Sequence, residues 1–276
     1  MDQRPWRGSI KKEVRNMALV EYRAEGGIAI MELNDPPANT YTHEMMRELD
    51  EGILKARFDE KVHVVVIRGK GDKFFSAGAN IQMLTSVTPT FKYYFCLHAN
   101  ETLSRLEQTP KLIIAALNGH TVGGGLEIAM ACDIRIAKKD AGKIGLPEVA
   151  LGVLPGTGGT QRLPRIVGKA KAIELMATGR NFSFEEAVEI GLVNQIFEPE
   201  GFFDRVLEYA RQFVPPHKAS KAVGFIKRAV CTGFELPIAE ALAVERELQQ
   251  QLFQSEDASE GLKAYGEKRT AKFSGR

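Results

Sequence analysis

Glu127 and Glu148 each follow a stretch that exposes its backbone: Gly123-Gly124-Gly125-Leu126-Glu127 and Gly145-Leu146-Pro147-Glu148-Val149. Most glutamates are solvated helix charges, but these two have apolar or glycine neighbours. Glu127 is flanked by Leu126, Ile128, Ala129 and Met130, so a helix there carries its carboxylate on a largely apolar segment. Burial on such a segment demands a partner or raises the pKa. Catalytic carboxylates exploit that environment, and a pair of them beside exposed N–H groups suits general acid–base work.

The glycine run supplies the N–H groups. Three residues without a side chain, between a buried strand and a helix, let a ligand approach the main chain closely. At a helix start the free donors and the dipole favour a phosphate or a developing oxyanion. Tight strand-to-helix packing is the alternative reading of this turn alone. Nucleotide fingerprints are absent: 123–127 has neither the Gly-x-Gly-x-x-Gly spacing nor a Gly-Lys-Ser/Thr ending, and Pro155-Gly156-Thr157-Gly158-Gly159-Thr160 lacks the sixth-position glycine and a preceding strand. A second candidate donor turn is Ser76-Ala77-Gly78-Ala79, again small-residued and followed by a helix-like stretch. Two donor turns and two embedded glutamates can stabilise an enolate oxygen and move protons at neighbouring carbons, which is α,β-carbon chemistry on a carbonyl compound.

The elements that must position these groups alternate between strand and helix. Residues 28–33 read as a strand ending at Asn34-Asp35-Pro36-Pro37, and 42–58 as a helix. Residues 62–69 and 112–117 are nearly continuous apolar runs, as in strands covered on both faces. Residues 126–132 read as helix, 134–137 as a short strand, and Pro147 as the first residue of a helical turn. From about Gly168 the chain turns mostly helical, with a last short strand at 194–197. This order predicts an α/β fold with crossover connections. In 237–253, Ala241, Val244, Leu248 and Leu252 form an amphipathic stripe suited to packing within the chain or to an oligomer interface. Phe91, Tyr93, Tyr94 and Phe95 suit core packing, taken one by one, ahead of lining a pocket. His98 and His120 read as structural or surface residues, for want of a placed partner.

Composition narrows the class. At 276 residues, 44% apolar and 26% charged, the chain has material for a substantial core. A net charge of +2 gives no case for nucleic acid or an acidic membrane surface. The three cysteines, Cys96, Cys132 and Cys231, form neither a disulfide framework nor a metal cluster, and favour a reducing compartment. No apolar run approaches a membrane span, and residues 1–16 lack the apolar middle of a signal peptide. That segment has two acids and one serine, which fits a transit peptide poorly. A cytoplasmic protein is expected, with mitochondrial import the lesser alternative.

Phe75-Ser76-Ala77-Gly78-Ala79-Asn80, the run from Asn118 through Gly123-Gly124-Gly125-Leu126-Glu127, and Leu151-Gly152-Val153-Leu154-Pro155-Gly156-Thr157-Gly158-Gly159-Thr160-Gln161-Arg162-Leu163 resemble, in order, the motifs of the enoyl-CoA hydratase/isomerase (crotonase) superfamily. The similarity runs from about Ala18 to the end and includes Glu260-Gly261-Leu262-Lys263-Ala264-Tyr265-Gly266-Glu267-Lys268-Arg269. It implies a crotonase-like spiral of repeated β-β-α units over 18–200 and a C-terminal helical region for trimerisation over 201–276, with 1–17 an extension of uncertain role. It also implies a homotrimer or homohexamer. By the same resemblance the N–H groups of Ala79 and Gly124 hold a thioester oxygen, while Ala38, Ala77, Ala79, Asn80, Ile81, Gln82 and Gly124 contact CoA. Tyr265 and Lys268 match tail positions that reach CoA on a neighbouring subunit. Two departures stand out: Asn80 replaces a common aspartate, and Pro36-Pro37-Ala38-Asn39-Thr40-Tyr41-Thr42 replaces the usual Asn-Ala-Leu pattern.

Hydratases of this superfamily resemble the chain in having glutamates at both positions. The implied function is reversible hydration of a trans-2-enoyl-CoA to a 3-hydroxyacyl-CoA, with Glu127 and Glu148 holding the water and sharing the proton transfers in roles left open. Another crotonase reaction (isomerisation, hydrolysis or carbon–carbon cleavage) is the first alternative, and a non-catalytic or RNA-binding protein the second. No cofactor is expected, because CoA belongs to the substrate and the reaction needs neither metal, flavin nor nicotinamide.

Overall fold

The computed structural model describes residues 17–276, so the expected N-terminal extension lies, except for Met17, outside the described residues. Strand β1 (Val20–Glu25) turns back antiparallel onto β2 (Ile28–Leu33) through Gly26 and Gly27, both at positive φ. Helix α1 (His43–Phe58) follows, started by the Thr42 hydroxyl, which accepts the Met45 N–H at 3.3 Å.

Three rounds of one pattern come next. The first has β3 (Val64–Gly69), β4 (Phe74–Ser76) and helices α2 (Ile81–Ser86) and α3 (Pro89–Gln108). The second has β5 (Leu112–Leu117), β6 (His120–Val122) and α4 (Gly124–Met130). The third has β7 (Ile134–Lys138), β8 (Ile144–Gly145), a 3-10 turn at Glu148–Leu151 and α5 (Gly159–Val167). After α6 (Lys169–Thr178) and α7 (Phe184–Glu189), β9 (Gln195–Phe197) closes the main sheet, whose order is β1-β2-β3-β5-β7-β9. Each round puts its first strand in that sheet and its second in a small parallel sheet, β4-β6-β8. This is the repeated β-β-α arrangement the sequence implies.

Alternation along the main strands feeds two cores. Val65, Ile67, Ile113 and Ala115 pack with α1 and α3, whereas Val64, Val66, Ile114 and Ala116 pack against α8 (Phe202–Arg211) through Phe202, Val206 and Ala210. Burial of both faces explains why these strands read as unbroken apolar runs. Asn118 fixes the passage from one sheet to the other: its Oδ1 accepts the Gly69 N–H at 3.0 Å, and its Nδ2 donates to Gly71 O at 2.7 Å.

Helices α9 (Ser220–Gly233), α10 (Ile238–Phe253) and α11 (Glu256–Gly266) complete the chain. The 241/244/248/252 stripe turns inward, with Leu248 buried and α10 packed along α9; Ile238, Leu242 and Phe253 on the same helix are exposed. Of the four α3 aromatics only Phe95 is buried; Tyr93 and Tyr94 are exposed, and Phe91, one turn before Phe95, is exposed against the His43 ring. Among the described residues no helix is long and apolar enough to cross a membrane, and the three cysteines are free.

One buried ion pair ties α9 to the sheet. Lys227 Nζ lies 2.9 Å from Asp133 Oδ2 and donates to Leu106 O and Lys111 O at 3.1 Å each. Removing one partner of such a pair strands a buried charge. Lys227→Met is therefore expected to lower unfolding free energy by about 3 kcal/mol, measured by urea unfolding; a loss under about 1 kcal/mol would show that Asp133 finds water instead.

Candidate active site

The small sheet delivers the chemistry. Its three strands are parallel and in register at Ser76, Thr121 and Ile144, so the segments leaving their C-terminal ends emerge side by side. Those segments are Ala77-Gly78-Ala79-Asn80, Gly123-Gly124-Gly125 and Leu146-Pro147-Glu148. Ligands of open parallel sheets bind at this end.

The first two turns touch. Gly78 adopts φ +87°, and a methyl on it would lie 2.7 Å from Gly124 N. Ala77 N donates to Ala38 O, Gly78 N to the Ser76 hydroxyl, Asn80 N to Tyr41 O, and Gly123 N to Gly145 O. Between these bonded neighbours, the N–H groups of Ala79 and Gly124 meet no acceptor among the described residues. Gly123, at φ +57°, bends the chain into α4. Unpaired N–H groups are rare away from water and are available to an oxyanion.

Both glutamates border these turns. Glu127, in the first turn of α4, is 2% exposed. Its Oε1 accepts two main-chain N–H groups, Thr157 and Gly159, each at 2.7 Å. Burial raises its pKa, while those two N–H bonds, the Thr157 hydroxyl and Arg162 favour the ionised form. Glu148 opens the 3-10 turn, with Pro147 as its cap and not its first residue. A methyl on Gly123 would lie 3.1 Å from Glu148 Oε1, and Glu148 Oε2 is buried without a hydrogen-bond partner. Burial, reinforced by the charge of Glu127 and offset by the Glu148 backbone N–H and Lys92, pushes the Glu148 pKa from 4.5 up to about 7. One carboxylate is held by amides and the other keeps its proton near neutrality.

Of the other residues singled out in the sequence, Ala38 and Ala77 pair through their backbones, and Asn80 caps α2 by accepting the Met83 N–H at 2.9 Å. Ile81 and Gln82 are exposed on α2 beside the first turn. Tyr265 on α11 is 87% exposed and Lys268 follows that helix; no hydrogen bond, ion pair or ring contact joins either to the site within the described chain. His120 Nδ1 accepts the Lys143 N–H, and His98 packs edge-on against His43, so neither histidine enters the site.

The sequence reading missed the groups that hold Glu127. The glycine-rich loop 155–160, set aside there as no nucleotide site, is the amide cradle of this carboxylate. Arg162 braces that loop by donating to Thr157 O at 3.1 Å and to both oxygens of Glu107. Tyr41 is also central. Its backbone pairs with Gly78 and Asn80, its ring fills the space a side chain on Gly124 would need, and it stacks obliquely on Phe95 at 5.6 Å. The break in the Asn-Ala-Leu pattern was the available signal.

Comparison with known proteins gives the family of the chain. Residues 23–276 match the family model described as enoyl-CoA hydratase/isomerase. A short-chain-enoyl-CoA hydratase of Clostridium acetobutylicum is 39% identical over 93% of this chain and 97% of its own length. A crotonyl-CoA hydratase of Syntrophomonas wolfei is 36% identical over 90% and 95%. A crystal structure of an enoyl-CoA hydratase from Geobacillus kaustophilus superposes with a TM-score of 0.92 at 46% identity, covering 94% of this chain and 98% of that one.

Proposed function

The chain belongs to the enoyl-CoA hydratase/isomerase family and has the crotonase fold, and on that premise we propose that it hydrates a trans-2-enoyl-CoA reversibly to the 3-hydroxyacyl-CoA. What supports this reading is the meeting of two N–H groups that have no acceptor among the described residues with two carboxyl groups, one held by main-chain amides and the other with a buried, unpartnered oxygen. The thioester oxygen binds between the N–H groups of Ala79 and Gly124, which withdraw charge from the conjugated double bond. Water adds its oxygen to the β-carbon and gives one proton to Glu127. Negative charge grows on the thioester oxygen, where each N–H contributes roughly 3–4 kcal/mol. Glu148 delivers its proton to the α-carbon, and transfer from Glu127 back to Glu148 resets the site. The sum is the addition of one water.

CoA runs along Ala38, Ala77, Asn80, Ile81 and Gln82 in this reading. The trimer remains a proposal, favoured by the exposed apolar side chains of Ile226, Val230, Phe234 and Ile238 on α9, α10 and their connection. In a trimer Tyr265 and Lys268 would serve a neighbour's CoA. The relatives named for short-chain and crotonyl substrates make crotonyl-CoA the substrate of choice for a test. With it, the enoyl-thioester absorbance is expected to fall and the product to be heavier by one water, and Glu127→Gln and Glu148→Gln each to abolish the change. Acyl-CoA binding without water addition would assign the site to another reaction of the family.

A further inference from the structure

Tyr41 is 2% exposed, and its hydroxyl lies 2.8 Å from the equally buried Thr157 hydroxyl. Thr157 in turn presents its N–H to Glu127 at 2.7 Å. We propose that Tyr41 is a positioning residue for the hydration: its phenol donates to the Thr157 hydroxyl, holds the Thr157 N–H on Glu127, and so fixes Glu127 as the acceptor of the proton from water. The inference rests on the reaction proposed above.

Donor counting sets the direction of this chain. Each hydroxyl has one proton to give. The Thr157 hydroxyl favours the ionised Glu127, and a Thr157 proton turned that way leaves the Thr157 oxygen to accept from Tyr41. Tyr41 has no other hydrogen-bond acceptor among the described residues. Its phenol keeps its proton at any working pH, because burial and then Glu127 raise its pKa well above 10, with Cys96 and Glu148 adding to the shift. The charged groups facing the chain are few: Arg162 favours the ionised Glu127, while Lys92 acts on Glu148. Fixing one carboxylate as base beside a second that holds a proton is what prevents the coupled pair from exchanging roles.

The competing explanation is that the Tyr41 ring merely fills space, next to Phe95 and to Gly124, whose would-be side chain would sit 2.5 Å from the Tyr41 oxygen. Tyr41→Phe separates the two, because the ring stays and the proton goes. In the full-length enzyme with crotonyl-CoA, the variant is expected to lose about tenfold in kcat with KM within about twofold. The acidic limb of kcat/KM should move up by about half a pH unit, since a Thr157 released from Tyr41 holds its N–H less firmly on the ionised Glu127. Thr157→Val should give the same shift, and the double variant no more than either alone. Full kcat and an unmoved profile in Tyr41→Phe would overturn the proposal. If the wild-type enzyme fails to hydrate crotonyl-CoA, the reaction reading falls separately. The infrared carboxyl band of Glu127, assigned by its loss in Glu127→Gln, then decides: it should titrate at higher pH in Tyr41→Phe, and an unmoved band refutes the role of Tyr41.

Discussion

Glu148→Gln is expected to lower kcat for crotonyl-CoA about a thousandfold, within the range supplied by a placed acid or base, while leaving binding of an unreactive acyl-CoA within about threefold. Glutamine keeps the shape and removes the proton that the α-carbon needs. Because burial holds the Glu148 pKa at about 7, wild-type kcat/KM should decline as the pH rises through that value and the acid form disappears. The variant should lack this limb. Near-normal turnover by Glu148→Gln would remove Glu148 from the mechanism, and an equal loss of binding would recast it as a substrate contact.

The same substitution should stabilise the protein, and the sign follows from linkage. Folding raises the Glu148 pKa from 4.5 to about 7, so the folded state binds the proton more tightly than the unfolded chain does. That contribution is fully present below about 4.5 and is lost as the pH rises through about 7. Above neutrality the folded protein carries a half-buried charge whose Oε2 has no partner. After allowance for its solvent access, the neutral amide should recover about 1–2 kcal/mol at pH 8 and nothing at pH 4. A few degrees gained in Tm at the higher pH alone would mark Glu148 as a site where stability is given up for activity.

How far the sequence disclosed this site depended on the length of the signal. β3 and β5 were legible because runs of four and six consecutive apolar residues leave little choice but a strand buried on both faces. β4, β6 and β8 were not, since two or three residues show no period, yet they set the register that brings the turns together. Glu127 stood out as a charge among apolar neighbours. Its partners did not, because the amides of Thr157 and Gly159 belong to the backbone, and no side-chain pattern announces which amides a loop will turn inward. Tyr41 is the extreme case: an aromatic residue near a helix start looks like core until the fold joins it to Thr157, a partner 116 residues away.

Gly78→Ala tests the oxyanion site without touching a polar group. The added methyl would meet Gly124 N at 2.7 Å and Val122 O at 3.2 Å, both main-chain atoms that cannot rotate away, and φ +87° is itself strained for alanine. Either the first turn or the Gly124 N–H must move, and a donor displaced from the developing charge loses most of its electrostatic effect. The expected result is a loss of about 10²–10³-fold in kcat, with a loss of about 1–2 kcal/mol in stability from the backbone strain. Gly26→Ala separates the two consequences. Gly26 also has positive φ, +58°, but a methyl there meets nothing within 4 Å. It should lower stability comparably and leave kcat unchanged. If both variants keep full kcat, the contact between the two turns has no part in catalysis; if both lose it alike, general destabilisation and not the displaced N–H is responsible.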